Sequence, residues 1–220
     1  MLSIQDLSVS IAGTRILRGV SLEVPAGSMI GLIGRNGAGK TTLMKSIMGL
    51  LKASSGRIAF HDKDLLKIST HERARLGIGY MPEDRRLIPD LTIEENVLVP
   101  AWAARLPDSA SRLRKVYELI PEVAEFSGRK GLQLSGGQQK LAALGRALMC
   151  GTKLLLLDEP FEGVAPALAQ RLVDVVAALR REGMSVLLSE SDLQHSARMV
   201  DRIVTIDRGA VAQTAAPAAA

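Results

Sequence analysis

Aromatic residues make up only 3% of this chain, cysteine occurs once, and no apolar run reaches eighteen residues. So few rings argue against a platform on which single-stranded nucleic acid could stack. The lone Cys150 rules out an internal disulfide and fits a reducing compartment, with core packing as its expected role. Without a long apolar run or a charged-then-apolar leader, neither a membrane-spanning helix nor a signal peptide is expected, which points to the cytoplasm. No repeat of twenty to fifty residues recurs either, so solenoids and propellers drop out.

What remains is ordinary globular material: 220 residues, 47% hydrophobic and 23% charged, enough to bury a real core. The net charge of +5 and a pI near 9.6 suit nucleic acid, an anionic membrane surface or a phosphorylated ligand equally well. The basic residues are scattered, with small groups such as Arg85-Arg86 and Arg180-Arg181, so a solvated surface is the better reading and no nucleic-acid partner is expected.

Hydropathy sorts the chain into two kinds of strand. Val20, Leu22 and Val24 alternate with polar neighbours, as do Ile58 and Phe60, the pattern of antiparallel strands with one wet face. By contrast "MIGLIG" (29–34), "LLLLD" (154–158) and "SVLLS" (185–189) are continuous apolar runs, the pattern of parallel strands covered on both sides. Between the last two, Leu168, Leu172, Val175, Val176 and Leu179 recur at helical spacing and Gly183 is placed to end the helix, which gives a strand-helix-strand crossover. From about Leu91 to Cys150 the chain turns helical. Thr92 and Glu95 form a capping box, and Leu113, Val116, Tyr117 and Ile120 share a face before Pro121 interrupts. The expected fold is therefore α/β: one domain over 1–212, with a P-loop core and antiparallel β part at 1–90 and 151–212. A helical insert fills 91–150, and a disordered tail is expected at 213–220, order fading beyond about Ala210.

Three motifs carry chemistry. "GRNGAGKTT" (34–42) follows an apolar strand and precedes helix-forming sequence, matching G-x-x-x-x-G-K-[ST] in its required setting. Gly34, Gly37 and Gly39 let the backbone curl, so that amides across Arg35, Asn36 and Ala38 converge on phosphate. Lys40 then reaches the β- and γ-phosphates of ATP, and the hydroxyl of Thr41, next to Thr42, can ligate Mg2+. "LLLLDEP" delivers Asp158 and Glu159 to the C-terminal edge of a buried strand, where open α/β sheets bind ligands. There Asp158 is expected in the magnesium shell, and Glu159 as the base that polarises the attacking water. The third motif, "LSGGQ", comprises Leu134, Ser135, Gly136, Gly137 and Gln138. Ser135 and Gln138 form a capping box and the two glycines leave amides bare, a helix start suited to a second phosphate.

In this order and spacing the three motifs resemble the ATP-binding cassette ATPases, over about residues 2–209. The resemblance implies that "LSGGQ" serves the partner's nucleotide: two subunits pack head to tail, and this helix start closes over the γ-phosphate held by the P-loop opposite. It also implies that residue 11 lies against the adenine, where Ile11 replaces the usual aromatic ring. At a finer level, "YMPEDRRLIPDLTIEENV" (80–97) and "DEPFEGVAP" (158–166) look like the corresponding segments of branched-chain amino-acid importers. Those importers often carry glutamate where most cassettes have a glutamine approaching magnesium, and Glu83 stands there. The expected partners are transmembrane permease subunits, a second ATPase subunit and, indirectly, an extracytoplasmic solute-binding protein, with the chain peripheral on the cytoplasmic face of the membrane.

Three positions depart from the family pattern. Ser191 stands where most cassettes place a histidine against the γ-phosphate, an expectation of slower turnover. His195, one helical turn on, reads as a surface residue. Ile11 lacks a π-face, which implies weaker adenine contact, a loss of up to ~1–3 kcal/mol if the nucleic-acid stacking figure transfers. Phe161 replaces a commoner serine or threonine at the dimer contact. An importer ATPase is the leading reading. The alternatives are a weakly hydrolysing regulatory subunit and the ATPase of a lipid exporter. Repair and translation cassettes usually add coiled coils or a second cassette, absent here, and a small-molecule kinase has no use for "LSGGQ".

Overall fold

In the computed structural model, residues 1–192 and 195–215 are described. An antiparallel sheet is made of β1 (Leu2–Ile11), β2 (Thr14–Val24), β4 (Ser55–Phe60) and β5 (Lys63–Asp64), in the order β2-β1-β4-β5. Val20, Leu22, Val24, Ile58 and Phe60 are buried, as their alternation requires. The second sheet holds β3 (Met29–Ile33), β6 (Ile78–Met81), β7 (Leu154–Asp158), β8 (Ser185–Glu190), β9 (Arg202–Asp207) and β10 (Ala210–Ala215), in the order β10-β9-β3-β8-β7-β6. All its ladders are parallel except that between β9 and β10.

The continuous apolar runs are explained by two cores, one on each face of this sheet. Leu155, Leu157, Val186 and Leu188 point into one, and Leu154, Leu156 and Leu187 into the other. The first core is closed by α7 (Pro166–Arg181), α6 (Gly136–Cys150), α3 (Ile93–Ala104), α4 (Ser109–Leu119) and the short α5 (Pro121–Glu125). The second is closed by the antiparallel sheet and α1 (Lys40–Ile47). Both capping boxes form: Thr92 with Glu95 (3.2 and 2.8 Å) and Ser135 with Gln138 (3.3 and 3.0 Å). Pro121 sits at the start of α5, where its missing N–H costs nothing, so the interrupted pattern is two helices joined at Ile120. Cys150 is buried, and burial pushes its thiol up to about 11.

One expectation is corrected. Order does not end near Ala210, nor does a tail begin at 213: β10 pairs with β9 through Ala215, and Val211 packs partly into the second core. Pairing with an edge strand needs backbone groups rather than large side chains, which is why a poor composition misled. Residues 216–220 lie outside the described residues.

Arg73, on the short α2 (Thr70–Arg75), holds the P-loop helix from below. Its buried guanidinium donates to Ser46 O (3.0 Å) and Ile47 O (2.6 Å) at the end of α1, to Ile68 O (3.1 Å) and to Leu65 O. A cation here satisfies orphan carbonyls and faces the negative end of the helix dipole. Arg73→Ala leaves these buried acceptors unpaired and should lower stability by about 3 kcal/mol or more, measured as a fall in the urea midpoint.

Candidate active site

The site forms where β3, β8 and β7 end together, and it begins at Gly34, whose N–H donates to Glu190 O at 3.2 Å. A Cβ on Gly34 would lie 2.3 Å from the carbonyl oxygen of Ile206, so only glycine lets the loop leave the sheet there. Gly39 takes φ +112° at the N-cap of α1 and offers no side chain, so α1 starts with amides that no cap occupies. Lys40 is buried. Its Nζ donates to Arg35 O (3.3 Å) and Gly34 O and pairs with Glu159 Oε1 at 2.9 Å, drawing the loop and the proposed base together.

Asp158 is fully buried at the end of β7 and its carboxylate accepts three hydrogen bonds. Oδ1 takes Thr41 Oγ1 (3.1 Å) and Ser189 Oγ (2.7 Å), and Oδ2 takes the Tyr80 hydroxyl (3.1 Å). Burial and the nearby Asp158 charge raise the Tyr80 phenol far above its ordinary value, so it stays a donor. Glu159 follows in left-handed backbone, φ 49°, a strained setting for a non-glycine residue. Two contacts pin it: its N–H donates to Ser189 O (3.1 Å), and its carbonyl accepts from the buried Lys140 Nζ (3.1 Å). Ser191 Oγ lies 3.2 Å from Glu159 Oε1 and 2.9 Å from Asn36 Oδ1, so the serine touches both P-loop and base.

A cleft of about 420 Å³ is lined by Ile11, Asn36, Lys40, Thr41, Glu83 and Glu159 among others. Burial, then the carboxylates of Glu162, Asp158 and Glu159, raise the pKa of Glu83. Such crowding of carboxylates beside a hydroxyl is relieved by a hard cation, and the all-oxygen set of Thr41, Asp158 and Glu83 fits magnesium chemistry. Among the described residues no three acidic, imidazole or thiol groups converge as a metal cage.

A neighbouring cavity of about 330 Å³ opens between Asn36, Glu159, Phe161, Glu190, Ser191 and His195. His195 is therefore not an isolated surface residue: its ring lies 5.5 Å from that of Phe161, and it faces the proposed base across the cavity. The helical offset misled because residues 195–199 are turns, not helix.

Leu134, Ser135, Gly136, Gly137 and Gln138 line neither cavity. They sit at the start of α6, where a Cβ on Gly137 would press Leu168 at 2.9 Å and one on Gly136 would lie 3.4 Å from Arg85. The sequence reading missed Tyr80, Ser189, Lys140 and Arg146. The first two meet Asp158 across strands, and only the register of β6, β7 and β8 reveals them.

Glu190, buried at the end of β8, donates nothing at high pH and accepts from Ser196 Oγ. Burial pushes its carboxyl up to about 7, with Glu159 and Asp192 adding to the rise and Ser196 opposing it. The folded chain thus holds this proton more tightly than the unfolded chain, and stability declines as pH climbs from the ordinary glutamate range through about 7. Glu190→Gln should remove that part of the slope, raising stability relative to the parent by a few kcal/mol at pH 8 and little at pH 5, read from urea midpoints across that range.

Over residues 17–162 the chain matches the ABC transporter family. It is 36% identical to the high-affinity branched-chain amino acid transport ATP-binding protein BraG of Pseudomonas aeruginosa, covering 96% of this chain and 91% of that one. It is 31% identical to the lipopolysaccharide export system ATP-binding protein LptB of Haemophilus influenzae, covering 99% and 91%. Among solved structures, an ATP-binding cassette of an ABC transporter in its ADP conformation superposes with a TM-score of 0.83 at 29% identity, covering 98% and 91%. The chain thus belongs to the ABC transporter family, as an ATP-binding and ATP-hydrolysing cassette subunit.

Proposed function

We propose that this cassette drives an importer of branched-chain amino acids or a related small solute, working as one half of a head-to-tail ATPase pair. One observation carries the pairing: the donor-rich helix start at Ser135 lines neither cavity beside its own P-loop, so contact with a γ-phosphate there needs a second subunit. ATP held by residues 34–42 of one chain is then clasped by Ser135, Gly136 and Gly137 of the next. Thr41, Asp158 and Glu83 would hold Mg2+, which when bound would supply positive charge against the triphosphate. Glu159 accepts a proton from water as that water attacks the γ-phosphorus; the bond to the β-phosphate oxygen breaks, ADP leaves and the pair loses its bridging phosphate. Ser191 orients Glu159 in place of supplying a charge, so the intrinsic rate is low rather than nil.

Importer specificity rests on the likeness to BraG and on Glu83 within "PEDRRLIPDLT". The permease's cytoplasmic loops dock at residues 83–89 and the helical insert, beside an apolar groove of about 240 Å³ between Tyr80, Pro100 and Ala104. In the assembled transporter the partner is a sister ATPase in preference to an identical chain; alone in ATP, the chain pairs with a second copy of itself through the same surfaces. A second reading, the ATPase of a lipid exporter, is favoured by the LptB likeness, which spans 99% of the chain.

The reading is checked with Glu159→Gln, which should pair in ATP and hydrolyse at least a hundredfold more slowly, while Ser135→Arg added to it abolishes pairing, by sedimentation. Unaltered pairing in the Ser135→Arg variant would overturn the shared site. Solute class is checked in vesicles carrying the cassette together with the permease subunits that co-purify with it: ATP-dependent leucine uptake supports the importer, and lipopolysaccharide extraction supports the exporter.

A further inference from the structure

One side-chain link joins the segment after Glu83 to the start of α6. Residues 82–86 turn back sharply: Arg85 N donates to Pro82 O at 3.1 Å and Arg86 N to Asp84 O at 2.6 Å. Arg85 and Arg86 are both left-handed, with φ 60° and 51°. Each such non-glycine residue costs roughly 1–2 kcal/mol, so the turn needs outside support. Arg146, on α6, donates to the carbonyls of both arginines, and Arg86 pairs with Asp84 at 2.8 Å.

The supported turn aims one side chain. Arg85 Nη1 lies 3.2 Å from Gln139 Oε1 and passes along Gly136. Gln139 in turn donates Nε2 to Gly131 O (3.2 Å) and Leu134 O (3.4 Å), the carbonyls of the chain entering the helix. One amide therefore fastens that entry and also accepts from Arg85. The next residue, Lys140, carries the same first turn to the catalytic loop through the carbonyls of Glu159 and Glu162. Arg85 is near enough to Lys140 to depress its pKa, second to burial.

We propose that Arg85 is a positioning residue for the "LSGGQ" helix start: through Gln139 it fixes how the amides of Gly136 and Gly137 are presented to the partner subunit's ATP. It does not touch that ATP itself. Movement of residues 83–89 is passed to α6 through this contact, so a permease loop bearing on the turn tunes the affinity of closure. The inference rests on the pairing described above and assigns it a control point.

The test uses the Glu159→Gln chain and two measurements: the ATP concentration for half-maximal pairing by sedimentation, and the affinity of the monomer for a fluorescent ATP analogue at a concentration too low to pair. Arg85→Ala should raise the first about tenfold, the loss of one charge-assisted hydrogen bond, and leave the second within twofold. Gln139→Ala should raise the first similarly, and the double variant no further than either single change. Arg85→Lys, which keeps charge but loses the planar fork, should recover only part of the loss. Pairing within twofold of the parent in Arg85→Ala, full recovery by lysine, or single effects that multiply in the double variant would overturn the inference. Failure of the pairing reading looks different: the Glu159→Gln parent, with Arg85 intact, would stay monomeric at saturating ATP.

Discussion

A carboxylate with no water around it must find donors or lose its charge, and Asp158 finds three on three separate elements. Thr41 comes from the P-loop helix, Tyr80 from β6 and Ser189 from β8, so the charge is satisfied only when these elements meet in one register. That register places Asp158 opposite Ser189. A slip of one residue would turn Leu157 into the polar site and Asp158 into a hydrophobic core. The same alignment brings Glu159 against Lys40 and fixes its strained backbone. Sheet geometry and site chemistry are one constraint seen from two sides.

Much of this was legible in the sequence because it rests on local rules. Capping boxes at Thr92 and Ser135, the helix stop at Gly183 and the P-loop all depend on residues within a few positions of one another, and all formed. The leucine run at 154–157 announced a strand buried on both faces. What stayed hidden depends on contacts between distant segments. Nothing near Lys140 says that its ammonium will reach the carbonyls of residues 159 and 162, and nothing near Arg146 says that it will brace a turn sixty residues earlier. At the chain's end, composition misjudged order because an edge strand borrows its stability from the neighbour to which it pairs.

Two of the three departures from the family pattern, Ser191 and Phe161, meet in space, while Ile11 lies in the neighbouring cleft. Ser191, Phe161 and His195 share one cavity with Glu159, although the sequence separates them by up to thirty-four positions. A shorter side chain at 191 is accompanied by a larger one at 161 and by an imidazole packed on that ring.

The sealed sulfhydryl of Cys150 has a practical corollary. A thiol raised to about 11 and shut away from solvent stays protonated near neutrality, and protonated thiols do not attack maleimides at useful rates. Because it is the sole cysteine of the sequence, one introduced at an exposed position would be the single handle for a spin label or fluorophore, and the proposed pairing could be followed without first stripping the chain of thiols.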